Sequence, residues 1–560
     1  MEALDWLVIG VFFLALIGII VWVVRQKQND SADYFLGGRD ATWLAIGASI
    51  FASNIGSEHL IGLAGAGASS GMAMAHWEIQ GWMILILGWV FVPFYSRSMV
   101  YTMPEFLERR YNPQSRTILS VISLVSYVLT KVAVTVYAGG LVFQQVFGIK
   151  ELWGIDFFWI AAIGLVVLTA LYTIFGGMKS VLYTSVLQTP ILLLGSLIIL
   201  VLGFKELGGW DEMMRVCGAV TVNDYGDTMT NLIRSNDDAN FPWLGALIGS
   251  AIIGFWYWCT DQFIVQRVLS GKNEKEARRG TIFGAYLKLL PVFLFLIPGM
   301  IAFALHQKYI GAGGEGFLPM LANGTANADA AFPTLVAKLL PAGVKGLVVC
   351  GILAALMSSL ASLFNSSAML FTIDFYKRFR PETPEKKLVG IGQIATVVIV
   401  ILGILWIPIM RSVGDVLYTY LQDVQSVLAP GIAAAFLLGI CWKRTSAQGG
   451  MWGLISGMVI GLTRLGAKVY YSNAGEVADS TFKYLFYDMN WLFFCGWMFL
   501  FCIIVVIVVS LATEAPTAEK IQGLVFGTAT KEQKASTRAS WNHWDIIHTV
   551  IILAITGAFY

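Results

Sequence analysis

The chain is poor in charge. Of its 560 residues only 13% are Asp, Glu, Lys or Arg, while 57% are hydrophobic; a soluble globular protein carries about 25% charged residues. So few charges do not cover a water-facing surface, which argues against a soluble enzyme. The formal net charge of +2 likewise implies no nucleic acid partner. Cysteine is scarce. Cys217, Cys259, Cys350, Cys441, Cys495 and Cys502 show no disulfide or metal spacing, and all but Cys217 fall in apolar segments. Long polar stretches are also missing. The longest, 205–241, 307–331 and 513–542, are too short for a core of their own, so no appended soluble domain and no obligate protein partner is expected. There is no phosphate-binding loop and no nucleophile constellation, which disfavours an ATP-driven pump or a membrane enzyme.

Apolar runs are what the chain does have. About 20 apolar residues cross a hydrocarbon core of about 30 Å, and such runs read as about fourteen spans: 4–24, 43–65, 72–95, 118–147, 157–175, 181–202, 243–265, 281–305, 335–370, 389–409, 413–441, 449–465, 492–511 and 541–560. The first is too long, and too lightly charged ahead of its apolar run, for a cleaved signal peptide. Most mix Leu, Ile and Val with Gly, Ala and Ser, the small residues that let membrane helices approach closely. The fold class expected is therefore an all-α polytopic membrane protein. One set of alternate loops holds the cations: Arg25, Lys27 and Arg39; Arg97, Arg109, Arg110 and Arg116; Lys272, Lys275, Arg278 and Arg279; Lys377, Arg378, Arg380, Lys386 and Lys387; Lys443 and Arg444. That face is expected to be cytoplasmic, with both termini outside the cell membrane or in the periplasm. Asn323-Gly324-Thr325 matches a glycosylation sequon on an outer loop, relevant only in a secretory pathway.

Two spans are interrupted at mid-depth by small and polar residues: Ala52-Ser53-Asn54-Ile55-Gly56-Ser57-Glu58-His59 and Gly254-Phe255-Trp256-Tyr257-Trp258-Cys259-Thr260-Asp261-Gln262. Each is followed by four further spans, which divides the chain into an N-terminal helix and loop (1–42), a first repeat (43–203), a second repeat (241–441) and additional C-terminal helices (442–560). Broken helices at corresponding places of two repeats point to a transporter site near the bilayer midplane, where unwound carbonyls can hold a cation. Such breaks are tolerated only where they line a cavity or are buried in protein.

Ionisable residues inside a span cost at least about 2.5–3.5 kcal/mol at mid-membrane, so Glu78 and Lys288 read as one paired group facing a near-neutral cavity. That suits an uncharged solute rich in hydroxyls. Asn54, His59, Glu78, Lys288 and Gln422 supply donors and acceptors, and Tyr257 or Trp258 an apolar face for the solute's CH groups. Each also has a plain structural reading: a satisfied packing histidine, a structural ion pair, interface aromatics at Trp77, Trp256, Trp258 and Tyr418, and serines at 358 and 359 that back-bond to carbonyls.

The pattern as a whole resembles the sodium/glucose cotransporter branch of the sodium solute symporter family. The resemblance lies in 52–67, Glu78, 87–93, Met103-Pro104-Glu105-Phe106, 256–267, Tyr286-Leu287-Lys288, 358–366, Tyr420-Leu421-Gln422 and 436–444. It implies about fourteen helices around two inverted five-helix repeats, as in the leucine transporter, working by alternating access. It further implies solute contacts at Asn54, His59, Glu78, Trp258, Lys288 and Gln422, an inner gate at Tyr257, and an outer gate at Leu63, Trp77 and Tyr418. Sodium would be held by the carbonyls of Ala52, Ile55 and Ala355 with the hydroxyls of Ser358 and Ser359. Two positions depart from that pattern. Gly254 stands where relatives commonly carry a polar side chain, and Ser185 where many carry the Asp linked to a second sodium, with Ser362 nearby.

The function expected is sodium-coupled symport of a neutral sugar, a hexose such as glucose or galactose, with one sodium per sugar. The alternatives are the same fold carrying inositol, an amino acid, sialic acid or a carboxylate. An anionic substrate would want a cation without a carboxylate beside it, and a channel would want a continuous polar pore.

Overall fold

The computed structural model describes residues 1–26, 30–321, 324–411, 417–473 and 478–560, with the side chains of 129–130, 409–423 and 473 also outside the described set. Lys27, Asn323 of the sequon, the side chains of Tyr418 and Gln422, and the start of span 413–441 therefore lie outside the described residues.

The chain is a bundle of helices. Among the described residues, β-structure is limited to a ladder pairing Glu151–Leu152 with Ile155–Asp156 and a few isolated bridges. Nine described helices are long and apolar enough to cross a membrane, fewer than the fourteen expected. Part of the difference is physical. Segment 43–65 is split into Trp43–Asn54 and a separate turn and helix beginning at Glu58, while 157–175 and 181–202 run together within Phe157–Leu207, bent at Gly177. Gly177 has φ 54 and ψ −150, open to glycine without strain, and a Cβ there would collide with Tyr34.

Helix Ala3–Arg25 shows how the bundle partitions its surface. Ile9, Phe12, Leu16 and Val23 face inward against Phe157–Leu207 and Val344–Met369, whereas Leu7, Leu14 and Ile17 on its other side are exposed. Exposed apolar area on this scale belongs against lipid. At its start, Asp5 Oδ1 accepts from the backbone N–H groups of Gly343 at 2.7 Å and Gly346 at 2.8 Å. A carboxylate is thereby placed over the N-terminus of Val344–Met369, where free N–H groups and the helix dipole favour it.

The short broken helix Trp43–Asn54 is the centre of the arrangement. It packs against Glu274–Lys288, Phe157–Leu207 and Val344–Met369, and ten of its twelve residues are buried. A second group, Leu417–Cys441, Ala447–Asn473 and Trp491–Ala512, packs on itself and joins the rest partly through Trp243–Phe255.

Candidate functional site

The first break follows from the sequence Asn54-Ile55-Gly56-Ser57. Ile55 leaves the helix with φ −79 and ψ 110, and the chain resumes as a wide π turn over Glu58–Leu63 before Ala64–Ser70. The last helical-type bond here is Ile55 N–H to Phe51 O at 3.0 Å, so the carbonyls of Ala52, Ser53, Asn54 and Ile55 accept no hydrogen bond among the described residues. Gly56 permits a close approach: a Cβ there would stand 3.1 Å from Ser359 Oγ. Ala52, Ile55, Ala355, Ser358 and Ser359 are all buried, on the two helices that meet at this break.

Around it lies a thread of serine hydroxyls. Ser185 Oγ donates to Val181 O at 2.7 Å and lies 3.3 Å from Ser358 Oγ and 3.4 Å from Ser49 Oγ. Ser362 Oγ donates to Ser358 O at 2.7 Å and pairs with Ser53 Oγ at 2.6 Å. Ser185 thus neighbours Ser358, and the hydroxyl of Ser362 is already engaged.

The second break is a π turn over Trp256–Thr260 that ends at Asp261, extended with φ −76 and ψ 126. Asp261 caps Gln262–Leu269 by accepting from Phe263 N–H at 3.2 Å. Its other oxygen takes Lys131 Nζ at 2.8 Å, and Tyr127 O–H bonds its first. Lys131 is 3% exposed, and its ammonium also lies 4.7 Å from the centroid of the Tyr257 ring and 4.8 Å from that of Phe263. Buried, paired and surrounded by ring faces, it sits in the kind of setting that makes an intramembrane cation tolerable. Lys131 lies inside predicted span 118–147, so the rule that singled out Glu78 and Lys288 applies to it equally; it is a residue that sequence reasoning missed.

The two breaks meet across one small cavity of about 40 Å³. Lys288 Nζ donates to Glu78 Oε2 at 2.6 Å and to Asn54 Oδ1 at 3.2 Å; Asn54 Nδ2 donates to Tyr257 O–H at 3.1 Å; and His59 Nε2 lies 3.2 Å from Glu78 Oε2. One network therefore joins the Trp43–Asn54 helix, the π turns at 58–63 and 256–260, the segment carrying Glu78 and the end of Glu274–Lys288. Tyr257 and Trp258 contact edge to face, with centroids 4.9 Å apart. Trp258 also lies under the ammonium of Lys288, 5.4 Å from its ring centroid. Trp77 closes one side, stacked on Trp491 at 5.5 Å.

Of the predicted solute contacts, Asn54, His59, Glu78, Tyr257, Trp258 and Lys288 line this cavity. Of the predicted outer gate, Trp77 lines it; Leu63 is buried in the core, away from the lining. The lining adds Glu58, Gln80, Ile253, Gly254 and Gln425. Glu58 and the side-chain oxygen of Gln80 take no hydrogen bond among the described residues. Their signal in the sequence is simple: each is polar, in an apolar run, next to or two residues from a residue already chosen.

The sodium:solute symporter family model matches residues 34–457. The chain is 37% identical over 542 residues to the sodium/myo-inositol cotransporter 2 of Mus musculus, covering 94% of this chain and 80% of that protein. It is 35% identical over 560 residues to the sodium/glucose cotransporter 4 of Danio rerio, covering 97% and 84%. A substrate-bound, outward-open Na+-coupled sialic acid symporter has a TM-score of 0.73 at 21% identity over 92% of this chain and 99% of that one. For MhsT in complex with L-phenylalanine the TM-score is 0.51 at 12% identity, over 84% and 99%. These two likenesses concern the fold, which is the leucine-transporter-like helical bundle expected from the sequence. With the family pattern spanning most of its length and relatives more than a third identical along nearly all of it, this multi-pass membrane protein belongs to the sodium:solute symporter family.

Proposed function

We propose that the protein is a sodium-coupled symporter of a neutral polyhydroxylated solute, a hexose such as glucose or galactose in the first reading, working by alternating access between two inverted repeats, 43–203 and 241–441. The observation that carries this is the Glu78–Lys288 pair at 2.6 Å in a cavity walled by Tyr257 and Trp258. The pair offsets its own charge, and Glu78 Oε1 takes no hydrogen bond among the described residues. Hydroxyls that both donate and accept match such a wall, and the aromatic faces match a ring's CH groups.

In this reading Asn54, His59, Glu78, Trp258, Lys288 and Gln422 bind the sugar, Tyr257 is its inner platform and gate, and Leu63, Trp77 and Tyr418 close it from outside. Sodium is bound as a co-substrate by the carbonyls of Ala52, Ile55 and Ala355 and the hydroxyls of Ser358 and Ser359. Hard oxygen donors without a thiol or imidazole suit a small alkali cation. The cation-rich loops face the cytoplasm. One sodium entering down 100 mV supplies about 2.3 kcal/mol from voltage alone, enough to concentrate a neutral solute.

A second reading, myo-inositol as the solute, is favoured by the relatives: a sodium/myo-inositol cotransporter and a sodium/glucose cotransporter are similar to this chain to nearly the same degree, 37% and 35%. Uptake into proteoliposomes under an inward sodium gradient, with glucose, galactose, myo-inositol, an amino acid and sialic acid compared side by side, decides between them. Sodium-driven uptake of a neutral polyol supports the proposal. Uptake of the amino acid or the acid alone, or equilibration without sodium, refutes it.

A further inference from the structure

The cavity wall contains a substitution of one segment's side chain for another's. Residue 254 is glycine, and the room beside it is filled from across the cavity by the carboxamide of Gln80. A Cβ on Gly254 would stand 2.5 Å from Gln80 Oε1, 2.9 Å from its Cδ and 3.0 Å from its Nε2. The first two are closer than side-chain carbons approach such atoms and the third is tight, so the glycine is what lets the carboxamide lie there.

Its orientation is fixed by chemistry. Gln80 Nε2 lies 2.8 Å from the carbonyl oxygen of Ser250, one turn before Gly254 on the same helix. A carbonyl only accepts, so the NH₂ end must face it, and Oε1 is left as the end presented to the cavity. Gln80 is 4% exposed and lines the cavity, and Oε1 receives no hydrogen bond from any described residue. Oε1 is not sealed off by protein, so its donor must come from whatever fills the cavity.

We propose that Gln80 is a specificity-determining residue, whose Oε1 accepts a hydrogen bond from one ring hydroxyl of the solute, in a position available only because residue 254 has no side chain. The inference rests on the reading of the cavity as a polyol site and adds a contact to it. It also states a preference of class. Gln80 Oε1, the Oε1 of Glu78, which takes no hydrogen bond among the described residues, and the carboxylate of Glu58 are all acceptors on this lining. Against these three groups a solute must present donors, and a carboxylate placed there would set acceptor against acceptor.

The test is sodium-driven uptake into proteoliposomes of the preferred sugar or cyclitol and of its monodeoxy analogues, by wild type and by Gln80→Met, which keeps length and removes the acceptor. A hydrogen bond between neutral groups is worth about five- to tenfold in binding. In wild type one deoxy analogue is expected to show a KM about five- to tenfold above the parent's. In Gln80→Met the parent's KM should rise to that value while the same analogue's stays put. Gly254→Ala, which pushes the carboxamide aside and leaves Gln80 itself intact, should erase the same discrimination at the same hydroxyl, and it answers the question if Gln80→Met does not fold. Wild-type discrimination retained at every hydroxyl in either folded variant overturns the role of Gln80 and leaves the proposed function standing. A wild-type protein that takes up no neutral polyol with sodium overturns both.

Discussion

The Glu78–Lys288 pair makes the sharpest prediction about energetics. Two unit charges 2.6 Å apart attract by about 6 kcal/mol at an effective dielectric constant of about 20. Both side chains are nearly inaccessible, at 3% and 4%, so this attraction opposes a desolvation penalty of several kcal/mol per ion. The two terms largely cancel while the pair is intact and stop cancelling when one partner is removed. Glu78→Gln leaves a buried ammonium facing the side-chain oxygen of Asn54 at 3.2 Å, and Lys288→Met leaves a buried carboxylate with His59 at 3.2 Å as its remaining partner among the described residues. Each single change is expected to cost about 3–5 kcal/mol of stability, and the double change much less than their sum, because no orphaned charge remains. Unfolding of the solubilised protein by sodium dodecyl sulfate titration measures all four corners of the cycle. A coupling of about 3 kcal/mol is expected. Single costs that add to within about 0.5 kcal/mol would refute the reasoning, since that is the behaviour of a pair screened by water.

Ser358→Ala combined with Ser359→Ala should abolish sodium activation of uptake while the protein remains monodisperse, since two small hydroxyls contribute little packing; unchanged sodium activation would remove these serines from the ion site. Wild type should carry one sodium per solute, read as the slope of reversal potential against the sodium and solute gradients, because Ser185 offers a dipole and not a charge to a second ion; a slope fitting two charges refutes this. Ser185→Asp places a carboxylate beside Ser358 and Ser49 and should move that slope towards two. Burial pushes the carboxyl of Asp329, in the short 3-10 turn Ala328–Ala330 against Gly65, up to about 6 from its ordinary 3.8. Its contribution to stability is thus present below about 4 and lost as pH rises through about 6. Hydrogen exchange at 326–332, corrected for intrinsic rates, should show more opening at pH about 7.5 than at about 5, and Asp329→Asn should flatten the difference.

Much of the candidate site was legible in the sequence because membrane insertion penalises charged and polar residues in apolar runs, so the few that are there stand out. Glu78 and Lys288 stood out as charges in apolar runs, and both breaks stood out as polar and glycine-rich interruptions. Lys131 was equally visible, but its partner Asp261 lies 130 residues away, and no periodicity pairs residues at that distance. Gln80 was hidden for a different reason. Sequence shows that Gly254 lacks a side chain but not which neighbour fills the room, since that depends on how two segments far apart in the chain pack. The number of long apolar helices departs from the expected span count where apolar length does not track helix length: one predicted span is two helical pieces at Ile55, and two predicted spans share one bent helix at Gly177.

The break at 55–57 bears on coupling more directly than any single contact. The carbonyls proposed for sodium, at Ala52 and Ile55, flank Asn54, whose side chain accepts from Lys288 at 3.2 Å and donates to Tyr257 at 3.1 Å. The proposed ion ligands and solute contacts are thus neighbours at one helix end, where four carbonyls have no helical partner among the described residues. A cation gathering those carbonyls fixes the backbone that aims Asn54, and a solute engaging Asn54 and Tyr257 fixes the backbone that aims the carbonyls. Each ligand lowers the ordering cost that the other must meet, which is positive coupling with a reciprocal sign. A regular helix through this point would keep Asn54 in place without the ion, and it would have no free carbonyl with which to hold one. In the proposed symport, the interruption is therefore what would make solute binding depend on sodium.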